Sequence, residues 1–281
     1  MKIGFIGAGK VGFSLGKYLT LNRHFLSGYY SRNPESSASA ANFTGSKQFL
    51  KLSKLVEASD IIFVTVPDSA IESVRDEIMR FDISGKIVCH CSGAFSSSIF
   101  SGIQDHHAYG YSVHPFLAIS SRYDSYRDLS KAFFTIEGCS EQMQTVKALI
   151  SDCGNPCRII GADVKTKYHA AAVFASNLMI GVMDAAVELL GECGFTTSEA
   201  RTALEPIISG NIQNALNIGT ASALTGPVER CDICTVKKHM DALEDENILN
   251  LYANASLQLI KIASRKHPDR DYADLKELLK N

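Results

Sequence analysis

Short apolar runs and amphipathic stretches alternate along the first 160 residues of this chain. The alternation predicts strands buried on both faces and helices that cover them. Residues 61–66, Ile-Ile-Phe-Val-Thr-Val, are continuous and β-branched, as in a central parallel strand. Pro67 ends this run, and Asp68 is placed to cap a helix over 69–80. Gly85 turns the chain into a strand over 86–90, followed by the small residues Cys91-Ser92-Gly93-Ala94. Residues 109–113, 132–137 and 157–160 read as further strands, with a helix over 140–152. His114-Pro115-Phe116 reads as the loop after 109–113. Beyond residue 163 no strand pattern remains. Residues 163–193 read as one long helix of small and apolar residues and 198–218 as a second. The loop 219–230 and helices over 232–243, 246–265 and 272–280 follow. A helix apolar around much of its circumference must be covered on several sides. A homodimer through the C-terminal helices is therefore expected.

The first apolar run stops at Gly7, Gly9 and Gly12, in GxGxxG spacing, and a helical pattern over 13–21 follows. This is the strand-to-helix context of a dinucleotide-binding turn. Gly7 permits the tight turn, Gly9 lets backbone approach a pyrophosphate, and Gly12 lets helix and strand pack closely. The pyrophosphate would sit on the helix N-terminus, beside Lys10 and Val11. The fold class that follows is α/β, a Rossmann-type mostly parallel sheet over 1–161 and an all-α domain over 162–281. A second apolar stretch ends at Tyr29-Tyr30 and is followed by Ser31-Arg32-Asn33. An NAD-specific site places an acid there for the ribose 2′-hydroxyl. Here Ser31 offers a hydroxyl and Arg32 a planar cation suited to a 2′-phosphate, so the expected cofactor is NADP.

Charge adds an exclusion. With 28 basic and 30 acidic residues the net charge is −2, so nothing points to a nucleic-acid or anionic-membrane partner. Met1 leads straight into the first strand, so no signal peptide is expected, and the apolar run 170–183 is too short to span a bilayer. Eight cysteines in a chain of this length read as reduced thiols in a cytoplasmic protein. Cys231 and Cys234 form a lone CxxC, and Cys89 and Cys91 alternate along a strand, so no metal site is expected.

Ligands in an open α/β sheet lie beyond the carboxyl ends of the strands. Besides the glycine turn, those ends carry Val66-Pro67, Ser92-Gly93 and His114. Val66, Pro67, Ser92 and Gly93 are expected against the cofactor. His114 either donates a hydrogen bond to a substrate carbonyl or carboxylate, or bonds a backbone carbonyl. On the long helix, Lys165, His169 and Ser176 follow spacings of four and seven, which share a face, and Asn177 lies one position round. A hydride acceptor needs its developing oxyanion stabilised and protonated. Lys165 or His169 suits that task, with Ser176 and Asn177 orienting the substrate; alternatively the last two bond the helix backbone. In 224–232, Thr225 and Arg230 offer donors to a small-molecule substrate, and Asp232 can cap the next helix.

Taken together, HCSGA at 90–94, YHAAAVFASN at 168–177 and LTGPVERCD at 224–232 resemble a family of Rossmann-like NADP oxidoreductases with an all-helical C-terminal domain. That family is similar to pyrroline-5-carboxylate reductase, 6-phosphogluconate dehydrogenase and the deazaflavin-dependent NADP reductases. Some members look like a ketopantoate reductase. The resemblance therefore implies NADPH-dependent reduction of a small 2-oxo acid, with ketopantoate the leading candidate. An imine- or deazaflavin-linked reductase is the alternative within the fold, and a non-catalytic NADP-binding sensor is the alternative outside enzymology. The family usually carries glycine where this chain has Cys231.

Overall fold

The computed structural model describes residues 1–280. The chain divides into two compact units, Met1–Ser176 and a second that begins at Asn177. In the first unit the order is β1 (Lys2–Ile6), α1 (Lys10–Leu21), β2 (Phe25–Tyr30), α2 (Pro34–Thr44), β3 (Lys47–Gln48), α3 (Leu52–Ala58) and β4 (Ile61–Val64). Then come α4 (Ile71–Ile78), β5 (Ile87–His90), β6 (Tyr109–Phe116), β7 (Phe133–Gly138), α5 (Met143–Ser151), β8 (Cys157–Ile159) and α6 (Lys165–Phe174). The sheet runs β3-β2-β1-β4-β5-β6-β7-β8, and only the β6–β7 pair is antiparallel. This is the mostly parallel Rossmann-type sheet that the sequence implies.

Burial on both faces explains the apolar runs. Ile61 and Phe63 join one core cluster with α1, α2 and α5, while Ile62 and Val64 join another with α3 and α4. Successive strand residues point to opposite faces, so a strand covered on both sides has no polar position to spare.

Three local expectations change. Asp68 does not cap α4: a 3₁₀ turn over Asp68–Ala70 comes first, and the Asp68 carboxylate accepts from Ser92 Oγ at 2.9 Å. His114-Pro115-Phe116 is strand rather than loop, because antiparallel pairing with β7 carries β6 on to Phe116. The helix expected over 163–193 is interrupted. α6 ends at Phe174, and the Ser176 hydroxyl donates to the Ala172 carbonyl at 2.7 Å. Such back-bonding competes with the helical ladder. By length and composition, residues 162–192 suffice to cross a membrane, with mean hydropathy 1.7, which 170–183 alone does not. The sequence pattern places a boundary at 161/162, yet α6 is compact with the sheet, because Lys165 and Tyr168 are bonded to β6.

The second unit holds α7 (Asn177–Glu192), α8 (Thr197–Ile218), α9 (Thr220–Ala223), α10 (Pro227–Arg230), α11 (Ile233–Ala242), α12 (Glu246–Lys266) and α13 (Ala273–Leu278). Thr196 and Glu199 form a reciprocal capping box on α8. Asp232 caps α11, accepting from Thr235 N at 3.0 Å. Val228, Val236, Ile260, Ala263, Tyr272 and Leu275 make its core. The apolar side chains of α7 and α8 lie outside that core: Ile180 is 67% exposed and Leu216 76%. Every cysteine is a free thiol.

Candidate functional site

The turn after β1 opens a cleft of about 470 Å³ lined by Gly7, Ala8, Gly9, Ser31, Arg32, Ser36, Thr65, Val66, Pro67 and Arg122, with Glu77 as its one acid. Gly7 has φ +99°, and a Cβ there would stand 2.7 Å from the Thr65 carbonyl oxygen. Only glycine takes that conformation at that approach. At Gly12 a Cβ would meet Thr65 Oγ1 at 2.6 Å, so α1 is seated directly against the β4 end. At Gly9 the nearest atom is 3.8 Å away, which leaves the backbone approachable from the cleft. α1 has no side-chain cap and no acid in its first turn. Its N-terminal N–H groups and dipole are therefore free to meet an anion. Arg32 follows β2 within Ser31-Arg32-Asn33, a strand end that carries no acid in its sequence. Arg122 comes from the loop after β6, which Ser14 fastens by donating to Ser121 O at 3.2 Å. Its guanidinium rests over the Phe13 ring at 5.5 Å. Two arginines, a serine pair and an open helix N-terminus in one cleft suit a dinucleotide with an extra phosphate.

The second cluster arises where two periodicities meet. Along β6, Ser112, His114 and Phe116 share one face, spaced by two; along α6, Lys165, Tyr168 and His169 share one face, spaced by three and four. Lys165 Nζ donates to Ser112 Oγ at 2.7 Å, and Tyr168 Oη lies 2.7 Å from His114 Nδ1. The Tyr168 ring also packs against Phe116, with centroids 5.2 Å apart, and the Lys165 ammonium stands over it at 5.3 Å. The β6–β7 register sets Glu137 opposite Ser112 and Thr135 opposite His114. Glu137 is buried, accepting from Ser97 N at 2.5 Å and Ser97 Oγ at 2.7 Å.

Lys165 is 1% exposed. Burial pulls its pKa down to about 8, against the opposing pull of Glu137 and Cys91. The shift from 10.5 corresponds to about 3 kcal/mol disfavouring the ammonium. Burial, reinforced by Lys165, His169 and His90, takes His114 down to about 3. His90 is held at about 4 by burial; its Nδ1 accepts from Ser92 N at 3.1 Å. Gly93 closes the cluster: a Cβ there would fall 2.5 Å from His169 Nδ1 and 2.9 Å from His114 Nε2. His169 Nδ1 is buried with no hydrogen-bond partner among the described residues.

The structure thus gathers Lys165, His169, His114, Ser92 and Gly93 in the first unit. Val66 and Pro67 line the cleft with Gly7, Gly9, Ser31 and Arg32, whereas Lys10 and Val11 open α1 outside the lining. Ser176 is bonded to the helix backbone. Asn177, Thr225 and Arg230 belong to the second unit, where Thr225 and Arg230 are exposed. The sequence reading missed Arg122, Ser112, Thr135, Glu137 and the role of Tyr168. The alternation Ser112-x-His114-x-Phe116 carries a signal for Ser112 alone, and only once β7 shows 114–116 to be strand.

Substitution at Gly93 tests the packing. Gly93→Ala drives a methyl into two imidazoles and is expected to cost about 1–3 kcal/mol in denaturant unfolding. Gly181→Ala, with nothing within 4 Å and a helical backbone, is expected to stabilise by up to about 1 kcal/mol.

Residues 1–115 match the model of a Rossmann-like domain, and 132–259 match that of a domain of unknown function, DUF2520. The second match begins at β7 and ends within α12, so it runs through both units. No curated protein matches the sequence significantly. Among solved structures, the chain is similar to protein TM1727 of Thermotoga maritima, with 24% identity over 94% of this chain and 99% of that one and a TM-score of 0.75. It is similar to an imine reductase of Pseudomonas sp., at 18% identity over 94% and 97% with a TM-score of 0.65. A reductive aminase of Aspergillus terreus, in complex with NADPH and ethyl-5-oxohexanoate, aligns at 13% identity over 99% and 92% with a TM-score of 0.62. At these identities the likeness is one of fold. The chain joins a Rossmann-like domain to a DUF2520 region, in a fold that it shares with imine reductases and a reductive aminase.

Proposed function

We propose that this protein is an NADP(H)-dependent oxidoreductase that reduces a polarised C=O or C=N bond of a small molecule. The supporting observation is a continuous strand-end edge. Val66 and Pro67 line the phosphate cleft, Asp68 is bonded to Ser92, and Gly93 lies against His114 and His169. A cleft suited to dinucleotide phosphates is joined along that edge to a buried set of proton-bearing side chains. The α1 N-terminus and Gly9 would hold the pyrophosphate, and Ser31, Arg32 and Arg122 the additional phosphate. Bound NADPH supplies a hydride. As the acceptor carbon gains it, the attached oxygen or nitrogen needs a proton and hydrogen-bond donors. Lys165, with its pKa lowered to about 8, is the proton reservoir of the cluster, and the His114 and His169 ring nitrogens supply contacts at Gly93. The motif resemblance favours ketopantoate as substrate. The fold shared with imine reductases favours a C=N bond at least as well, and the same donors serve both.

Titration calorimetry is expected to show NADPH binding at least about tenfold tighter than NADH, with Arg32→Ala reducing the preference. NADPH consumption is then measured with ketopantoate, other 2-oxo acids and cyclic imines. Failure to bind NADPH sinks the proposal; tight binding without turnover of any substrate supports a sensor instead.

A pH profile tests Lys165. The ammonium is the proton-bearing form and is lost as pH rises through the lowered pKa of about 8. In the wild type kcat should therefore fall above pH 8. Lys165→Met should lose about 10²-fold in kcat together with that alkaline limb.

The exposed apolar faces of α7 and α8 fit a second copy of this chain, in keeping with a cytoplasmic homodimer. Light scattering should give twice the 30.6 kDa chain mass. A monodisperse monomer, or protein that partitions into lipid vesicles, would refute the dimer.

A further inference from the structure

We propose that Tyr168 is a positioning residue that holds His114 as its neutral Nε2–H tautomer, so that this ring N–H is the hydrogen-bond donor presented at Gly93. The role presupposes the reductase function above. The register puts Thr135 directly across from His114 on the same face of the sheet, and Tyr168 covers both from α6. Thr135 Oγ1 is buried and makes no hydrogen bond of normal geometry among the described residues; the Tyr168 phenol is its polar neighbour.

The phenol proton gives the contact between Tyr168 and His114 its direction. The Tyr168 phenol carries its proton at neutral pH, since burial raises its pKa. Tyr168 O–H then donates to His114 Nδ1, 2.7 Å away. A ring nitrogen that accepts carries no proton, so the proton of the neutral imidazole sits on Nε2. Nε2 is the atom nearest Gly93 on that ring, where glycine leaves room that a Cβ would fill. A second charge is unwelcome there: Lys165, His90 and His169 all face the imidazole, and Glu137 is engaged with Ser97. A neutral donor stabilises a developing negative charge without first having to be deprotonated or desolvated as an ion. Phe116 and the Lys165 ammonium fix the Tyr168 ring from two sides, so the phenol is held over Nδ1 by packing as well as by its bond.

Long-range proton–nitrogen NMR of the full-length protein, labelled with ¹⁵N-histidine, reads the tautomer without turnover. The His114 signals are assigned by their loss in His114→Gln. The wild type should show an unprotonated Nδ1 and a protonated Nε2. Tyr168→Phe should show a mixture of tautomers at His114, with kcat reduced about tenfold and NADPH affinity unchanged. If Tyr168→Phe does not fold, the wild-type spectrum alone decides the matter. A protonated Nδ1 in the wild type overturns the proposal, as does a Tyr168→Phe protein with an unchanged His114 tautomer. Absence of NADPH binding would overturn the reductase function but leave the tautomer measurement intact, so the two failures are distinguishable.

Discussion

The buried ammonium of Lys165 is the constraint on which the first unit's chemistry turns. A lysine taken out of water must find partners or give up its charge. Here Ser112 accepts its hydrogen bond and Glu137 supplies the opposing field. The requirement fixes the start of α6 against β6. With that end fixed, the helical repeat brings Tyr168 and His169 over His114 and Gly93. Ser112 and Glu137 thus offset part of the cost of burying the ammonium.

Two electrostatic environments result from one sheet edge. Around the glycine turn the surface is open and basic, with Arg32 and Arg122 exposed to solvent and a helix N-terminus between them. Screening by water makes such a region suited to catching a multiply charged ligand rather than to altering proton affinities. At Gly93 the groups are buried, and burial, with Lys165 adding repulsion, keeps His90 and His114 neutral. The bond from Ser92 to Asp68 couples the two, since it fastens the loop bearing Gly93 to the loop bearing Pro67.

The second unit shows how local strain is held in place. Cys231 takes φ +60°, a left-handed conformation that costs a side-chain-bearing residue about 1–2 kcal/mol. The segment before it is pinned by other contacts. Arg270 donates to the Glu229 carbonyl at 2.6 Å and Tyr272 does so at 2.8 Å, while the Glu229 carboxylate bonds His267. Lys266 also holds the Leu224 carbonyl at 2.7 Å. These contacts fix the backbone that presents Thr225 and Arg230, and they hold the left-handed turn at a residue other than glycine.

Much of this was legible in the residues. The period of apolar positions identified the parallel sheet and the helical C-terminal half, because burial on two faces leaves an unbroken apolar run. The glycine spacing and the missing acid after β2 pointed to the cleft at the turn after β1, since those features act through neighbours in sequence. Lys165, His169 and His114 were named as candidates on residue type and local spacing. What the sequence did not reveal was their company. Local pattern ended β6 at Val113, whereas the strand continues because β7 returns antiparallel to it. It gave one helix over 163–193, whereas Ser176 turns its hydroxyl back onto Ala172. Thr135, Glu137, Ser112 and Arg122 entered only with the folded chain. Periodicity records which way each side chain faces along its own element. Register and packing, which depend on residues tens of positions away, decide what it meets there.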